Sequence, residues 1–341
     1  MKNNVGKKTV KLGIELLRFF LCLWIVIIHC SNLKPKYEKY LSKSFHVPTF
    51  ILISFYFYYN ILKKRIISKI ILRFQRLLFP YILWPIIDLI INNFLFSILS
   101  SSQFNKKLTF TDLYIQILMA ARFFPSFWFH FNLLFLTLIF TIIAFIFKQF
   151  ISNILISLAI LSFYFHYSRI NFYKFKDYKK FCGYNMGSLV EMTPLAVLGC
   201  FLNSINILTK TNFYSIFNSI YLNINLIFIL FLLFEYEIFV HYAGLRYPDI
   251  LLNSFASLTL FLLFGFMQIE KIKNEKFNSI IKNITKYTGG IYYIHVIFRD
   301  YLQRYIFYFR KRQFLSAVII YIICYFFCFM GNTIFKNNKL K

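Results

Sequence analysis

A short apolar stretch near the N-terminus, GIELLRFFLCLWIVIIHC (13–30), contains three side chains that could do chemistry: Glu15, Arg18 and His29. Charged or titratable groups within a membrane-length apolar run cost free energy unless they pair or line a wet cavity, so they indicate a working site. Arg18 and His29 are eleven residues apart, which returns both to one face of an α-helix, separated by about 16 Å along its axis. Glu15 precedes Arg18 by three residues and is placed to pair with its guanidinium group.

His29 has no acidic neighbour at helical spacing in this stretch. Its imidazole can exchange a proton near neutral pH, which makes it a candidate for proton transfer. The alternative is an interfacial histidine that contacts only lipid headgroups. Intramembrane titratable groups are usually functional, so we favour the first interpretation.

A second constellation, LRFQRLLFPY (72–81), places Arg73 and Arg76 one helical turn apart, followed by Pro80. Arginines at this spacing form a fork-like cationic surface that suits phosphate groups. On charge alone, a plain basic anchor at the inner membrane surface explains the pair equally well.

The composition sets the scaffold that must position these residues. The chain has 341 residues, 59% of them hydrophobic and 22% aromatic, and a mean hydropathy of +0.61, which excludes an ordinary soluble domain. Apolar runs long enough to cross a bilayer core recur along the sequence. We therefore predict an all-α fold, a polytopic integral membrane helical bundle forming a single domain over residues 1–341. The ten predicted transmembrane helices are 12–32, 46–62, 77–98, 127–147, 150–168, 189–205, 214–234, 249–269, 287–309 and 314–335.

Charge gives the predicted orientation. Lys and Arg number 39 against 12 Asp and Glu, a net charge of +27, which suits membrane lipids with anionic headgroups or an anionic ligand, although AT-biased codon usage accounts for it equally well. With an even number of spans, the basic N-terminus and the KNNKLK tail place both termini in the cytoplasm. The basic cluster at 63–76 then lies at the inner face, as does the loop at 270–286. No metal-ligand cluster or nucleotide-binding glycine loop is found in the sequence, and we predict no metal and no nucleic acid partner.

These residues, taken in order, resemble the membrane-bound acyltransferase family 3, whose multispan enzymes O-acylate sugars and polysaccharides. The first span of that family carries an acidic residue, an arginine and a histidine eleven residues beyond the arginine, which Glu15, Arg18 and His29 supply. Phe55 stands where the second span of the family usually has glycine. The remaining positions of the resemblance are Pro48 and Ser54, then Arg73, Arg76 and Pro80, then Trp128 and Phe129, and finally Gly289, Gly290, Tyr292 or Tyr293, and His295.

The resemblance implies a bacterial inner-membrane O-acyltransferase, most often an O-acetyltransferase. It would use cytosolic acyl-CoA, usually acetyl-CoA, as donor substrate with no bound cofactor. The acceptor would be a hydroxyl of a carbohydrate: a polysaccharide, a lipopolysaccharide or a lipid-linked sugar. The implied roles are catalysis for His29 as general base, acyl-CoA binding for Arg18, Arg73 and Arg76, and structural or acceptor-side support for Glu15, Trp128, Tyr293 and His295. Glu191 is added as a catalytic candidate because it is an acidic group at or inside a predicted span.

Two other classes of function are kept. A transporter or flippase of a lipid-linked saccharide explains the arginines but not the spacing of Arg18 and His29. A polytopic glycosyltransferase would normally need an acidic cluster in an early outer loop, where this chain offers only Glu38.

The other titratable residues have open or modest roles. Asp88 and Glu191 lie at or inside predicted spans, where either can orient an imidazole, bind a hydroxyl or pair with a structural arginine. Three arginines at span boundaries are interpreted as snorkelling side chains: Arg122, Arg299 and Arg304. Three histidines in or near loops are predicted to be non-catalytic: His46, His166 and His241.

Overall fold

The computed structural model describes residues 12–30, 45–99, 127–147, 180–181, 184–204, 249–266, 275–305 and 313–337. These residues form helices α1 Leu12–Cys30, α2 His46–Lys64, α3 Ile67–Leu99, α4 Phe127–Ile146, α5 Met186–Ser204, α6 Asp249–Phe266, α7 Glu275–Thr285, α8 Thr288–Tyr305 and α9 Gln313–Asn337. One short antiparallel pairing joins strands β1 Lys180–Phe181 and β2 Tyr184–Asn185. For the residues that the structure describes, the all-α prediction is therefore confirmed, apart from this short pairing.

Four helices of the described part are long and apolar enough to cross a membrane: Leu12–Cys30, Ile67–Ile87, Phe129–Ile146 and Phe314–Thr333. The protein is an integral membrane protein. Ten spans stay a prediction, and those expected at 150–168 and 214–234 lie outside the described residues.

The third helix differs from its predicted bounds. We expected the third span to begin at residue 77, but α3 begins at Ile67 and runs to Leu99. Ile70, Leu77 and Tyr81 are buried at spacings that repeat on one helical face, so this basic segment continues a helical stripe. The span prediction began after this segment because its basic residues were taken as evidence against a membrane-spanning helix.

Arg65 makes the short break between α2 and α3. It has a positive φ of 49°, which a single residue can adopt where a helix ends. Its Nη2 donates to the carbonyls of Ala144 and Phe145 at 2.6 and 2.8 Å. These carbonyls belong to the last turn of α4, where a cation is favourable.

The inner-face loop predicted at 270–286 contains a helix instead. Helix α7, Glu275–Thr285, buries Ile281 against Leu12 of α1, while Phe277, Ile280 and Ile284 remain exposed. The loop prediction followed the lysines and missed the 3.6-residue period of the apolar positions.

The chain divides into two compact units, one of residues 1–50 and 206–341 and the other of residues 51–205. In the first unit α1 is central, because it packs against α6, α7, α8 and α9. Cys22 of α1 donates its thiol hydrogen to the carbonyl of Thr288 at 3.4 Å. Gly290 of α8 lies so close to Cys328 of α9 that an added Cβ would stand 2.6 Å from its sulfur.

In the second unit α4 packs against α3 and α5, and α5 meets α2 at backbone distance. A Cβ on Gly199 would collide with the carbonyl oxygen of Leu52 and lie 2.9 Å from the nitrogen of Tyr56. Asn203 donates to the Tyr56 carbonyl at 2.8 Å. Only glycine permits this close approach of the two helices.

Candidate functional site

Helix α1 holds the predicted triplet on one continuous element. Nη1 of Arg18 donates to both carboxylate oxygens of Glu15, at 3.1 and 3.0 Å, which confirms the predicted pairing. The side chains are 35% and 23% exposed, respectively, so the pair is reachable from outside the helix bundle. Among the described residues, Nη1 is the only guanidinium nitrogen of Arg18 that donates to a protein acceptor.

His29 lies at the opposite end of α1 and meets a residue that the sequence interpretation had set aside. Nη1 of Arg299, on α8, lies 3.5 Å from Nδ1 of His29. Arg299 was interpreted as a snorkelling residue at a span boundary, but its guanidinium reaches a partly buried imidazole. Because Arg299 follows His295 by four residues, one face of α8 carries both, and that spacing was the signal available in the sequence.

His295, the C-terminal histidine of the family resemblance, lies beside His29. The ring centroids of His29 and His295 are 5.3 Å apart and their planes differ by 40°. His295 is fully buried, and its Nδ1 lies 3.2 Å from the carbonyl oxygen of Ile291. Its Nε2 is buried and has no hydrogen-bond partner in the part of the chain that the structure describes.

A third imidazole belongs to the same unit. His46, the first residue of α2, is buried. We predicted His46 to be a non-catalytic histidine near a loop, a prediction that concerns its role and stays open. Its burial was not foreseen, because no local pattern in the sequence shows which helices cover the start of α2.

The two arginines of the second constellation face different surroundings. Arg73 donates from Nη2 to Ser54 Oγ at 2.8 Å and from Nε to Thr137 Oγ1 at 3.2 Å. Its guanidinium carbon lies 4.1 Å from the ring centroid of Tyr58. Arg73 thereby ties α3 to α2 and α4 through neutral partners and a cation–π contact.

Arg76 is exposed and lines a cavity of about 700 Å³ along the outer side of α3, with Phe79, Pro80 and Leu83. The predicted fork-like cationic surface requires Arg73 and Arg76 to lie on one surface. In the structure they lie on different sides of α3. The reason is the inward stripe of α3, which includes Arg73 but not Arg76.

Phe55 occupies the position at which the second span of the family usually has glycine. Helix α2 continues through this position without a turn. The ring is fully buried, packs 4.7 Å from that of Phe140 and lies 5.4 Å beneath the Arg73 guanidinium. Phe55 therefore supports Arg73 by packing.

The remaining predicted residues are placed only in part. Tyr293 is partly buried, and its ring centroid is 5.8 Å from that of Tyr292. Four residues lie on described helices with side chains outside the description: Glu191, Trp128, Asp88 and Arg304. Three more lie outside the described residues altogether: Arg122, His166 and His241.

Comparison with known proteins adds the family. The family described as an acyltransferase domain matches residues 11–334. No curated protein and no solved structure matches the chain. The matched region contains the Glu15 and Arg18 pair, both histidines of the α1 and α8 contact, and every described helix apart from the last residues of α9. Because the match covers nearly the whole chain, the protein belongs to the acyltransferase 3 family of membrane acyltransferases.

Proposed function

We propose that this protein is an O-acyltransferase, specifically an O-acetyltransferase, of a bacterial cytoplasmic membrane. It moves the acyl group of cytosolic acyl-CoA to a hydroxyl of a cell-surface carbohydrate or its lipid-linked precursor. One observation carries the proposal: a single helix, α1, joins the reachable Arg18 at one end to His29 at the other, where His295 and Arg299 gather.

Arg18 is the proposed anchor of the donor. The phosphates of CoA are strongly anionic, and a guanidinium with unused donors can hold them by charge-assisted hydrogen bonds. Glu15 accepts only from Nη1 of Arg18, so it orients the side chain and leaves Nη2 and Nε without a partner among the described residues. Arg76, which is exposed, is a second proposed phosphate ligand.

Arg73 has a different part in the proposal. Arg73 donates hydrogen bonds to Ser54 and Thr137, and its guanidinium makes a cation–π contact with the ring of Tyr58. These contacts support a bracing role that keeps α2, α3 and α4 together. Any contribution of Arg73 to acyl-CoA binding would then act through the fold of its unit.

The chemical step assigned to His29 is general base catalysis. The acceptor hydroxyl attacks the thioester carbonyl, its oxygen forms the new ester bond, and His29 takes the hydroxyl proton. The carbon–sulfur bond then breaks, and His29 returns the proton to the leaving CoA thiolate. Arg299, a donor beside His29, can stabilise the charge on the carbonyl oxygen as it develops.

Three further residues belong to the proposal. Glu191 would assist catalysis as an acidic group in a predicted span, and Trp128 and Tyr293 would, by the resemblance, support the acceptor side. The acceptor would lie at or beyond the outer membrane face, so that the acyl group passes from the inner end of α1, at Arg18, to the outer end, at His29.

The test is acyl transfer by the purified protein in lipid nanodiscs supplied with acetyl-CoA. We expect release of free CoA thiol and, with surface glycans as acceptor, an added acetyl mass on a sugar hydroxyl. His29→Gln should lower both by roughly 10²–10⁴-fold, whereas His241→Gln, at a histidine predicted to be non-catalytic, should not. Absence of thioester turnover together with movement of a lipid-linked saccharide would support the transporter instead.

A further inference from the structure

We propose that His295 is the positioning residue of His29: its Nε2 accepts the Nε2–H of His29 and leaves Nδ1 of His29 as the base nitrogen. This inference rests on the proposed function, which makes His29 the general base. It adds a fixed tautomer and a named nitrogen to that role.

The tautomer of His29 follows from its neighbour Arg299. A guanidinium group has only donors and no acceptor. A hydrogen bond from Arg299 to the nitrogen that faces it, Nδ1 at 3.5 Å, requires the lone pair on Nδ1, so this contact favours the tautomer with an unprotonated Nδ1. The proton of the neutral His29 ring then resides on Nε2.

The tautomer of His295 follows from a carbonyl. Nδ1 of His295 faces the oxygen of Ile291 at 3.2 Å, and a carbonyl oxygen can only accept. Nδ1 of His295 is therefore the protonated nitrogen, and Nε2 carries the lone pair. The two rings thus have opposite tautomers, a donor Nε2–H on His29 and an acceptor Nε2 on His295.

The position of the rings favours their pairing. The centroids are 5.3 Å apart with a 40° tilt, a separation that would allow an N–H···N hydrogen bond between the two rings. The acceptor is buried without a partner among the described residues, a condition that costs about 1–3 kcal/mol. The pairing removes this cost.

The helices hold both rings in register. His29 is on α1 and His295 on α8, which pack against each other within one unit. The bond from the Cys22 thiol to the Thr288 carbonyl fixes the two helices two turns below the histidine pair. His295 itself is fully buried, so its ring is confined by packing.

In the reaction, His29 is then a general base whose orientation is fixed by a further residue, His295. The acceptor hydroxyl gives its proton to Nδ1 of His29, and the imidazolium that forms keeps its Nε2–H on His295. The same proton leaves from Nδ1 to the CoA thiolate, and His295 stays neutral throughout. Arg299 gives up its contact with Nδ1, which at 3.5 Å is weak, and turns its donors to the acyl oxygen.

The direct test is nitrogen NMR on wild-type protein labelled with ¹⁵N-histidine, which is feasible because the chain has six histidines. Single His→Gln variants assign the signals. We expect His29 protonated on Nε2, His295 protonated on Nδ1, and a through-bond coupling between their two Nε2 atoms. Protonation of His29 on Nδ1, or of His295 on Nε2, would overturn the proposal, as would absence of the coupling in bilayers.

Two variants extend the test. His295→Gln retains an acceptor oxygen near the position of Nε2, whereas His295→Phe retains ring volume without an acceptor. We expect His295→Gln to keep the His29 tautomer and much of the turnover of acetyl-CoA, and His295→Phe to mix the tautomers and lower the turnover by at least tenfold at unchanged KM. A purely packing role predicts the reverse order, with Phe tolerated and Gln not.

Failure of the proposed function leaves a separate signature. If neither wild type nor variants turn over acetyl-CoA, the acyltransferase assignment fails while the NMR coupling still decides whether the histidines pair. If turnover is normal in His295→Phe and the His29 tautomer is unchanged, the positioning role is wrong and the acyltransferase assignment stands.

Discussion

The guanidinium of Arg73 lies over the ring of Tyr58, 4.1 Å from its centroid, and the Tyr58 hydroxyl in turn bonds Thr141 Oγ1 at 2.6 Å. Thr137, one turn earlier on α4, accepts from Nε of Arg73. Tyr58 and Arg73 together therefore connect α2, α3 and α4. An arginine in such a setting contributes through desolvated packing and hydrogen bonds, in contrast to the exposed Arg76.

Arg73→Ala should destabilise the protein, because it removes the bonds to Ser54 and Thr137 and the contact with Tyr58. Charge-assisted hydrogen bonds and a desolvated cation–π contact each contribute about 2 kcal/mol, so the midpoint of thermal unfolding in detergent should fall clearly. Arg73→Lys should rescue only partly, because an ammonium group cannot serve Ser54 and Thr137 as a fork does. Arg76→Ala is the matched control and should unfold like wild type.

Acyl-CoA affinity should distinguish Arg73→Ala from Arg76→Ala in the opposite way from stability. Arg76→Ala should weaken binding without loss of stability, and Arg73→Ala should weaken it only as far as the protein unfolds. Titration of each variant with acetyl-CoA, at a temperature where both are folded, measures this. Equal affinity of Arg76→Ala and wild type would remove Arg76 from the donor site.

Arg18→Ala should lose acyl-CoA binding while the helix bundle remains intact, since Arg18 is partly exposed and pairs only locally with Glu15. Glu15→Gln keeps a hydrogen-bond acceptor but removes the negative charge beside the guanidinium. We expect it to retain binding of the anionic donor or to strengthen it modestly. Loss of binding in both variants to the same extent would show that the ion pair is needed for the fold of this end of α1.

His29→Gln should fold, insert and bind acyl-CoA, while transfer falls by roughly 10²–10⁴-fold, the range for a lost general base. Glutamine can hydrogen-bond but cannot take up the proton. The measurement is transfer and donor binding on one purified sample. Near-normal transfer would eliminate His29 as the base, and lost donor binding would give it a structural role.

Arg299→Gln should lower transfer while donor binding is kept, because the guanidinium that reaches His29 is expected to stabilise the acyl oxygen. Removal of one such donor typically costs about 10²–10³-fold in kcat. Arg299→Lys should recover part of the rate through its charge. A wild-type kcat in Arg299→Gln would return Arg299 to the boundary role that the sequence first indicated.

Topology can be measured independently of activity. Tags placed at Met1 and at Lys341 should both be accessible only from the cytoplasm, as an even number of spans and basic ends require. An extracytoplasmic C-terminus would contradict the ten-span arrangement and the inner-face position of α7.

The sequence by itself determined the features that depend on short-range order. Apolar runs of membrane length predicted the helices, and the spacing of Glu15 and Arg18 predicted a salt bridge that needs only one helical turn to form. The same reasoning placed Arg18 and His29 on one helix, because α1 is continuous from Leu12 to Cys30. The family also followed from residues that can be counted along the chain.

The tertiary structure decided which long-range neighbours these residues have. His29 and Arg299 are 270 residues apart in the chain, and no local period relates them. Arg73 and Arg76 looked equivalent in sequence, but packing of α3 against α4 buries one side of the helix and leaves the other exposed. A periodic pattern gives the direction of a side chain relative to its own helix, whereas its partner depends on which helix packs there, and that contact forms only when the bundle assembles.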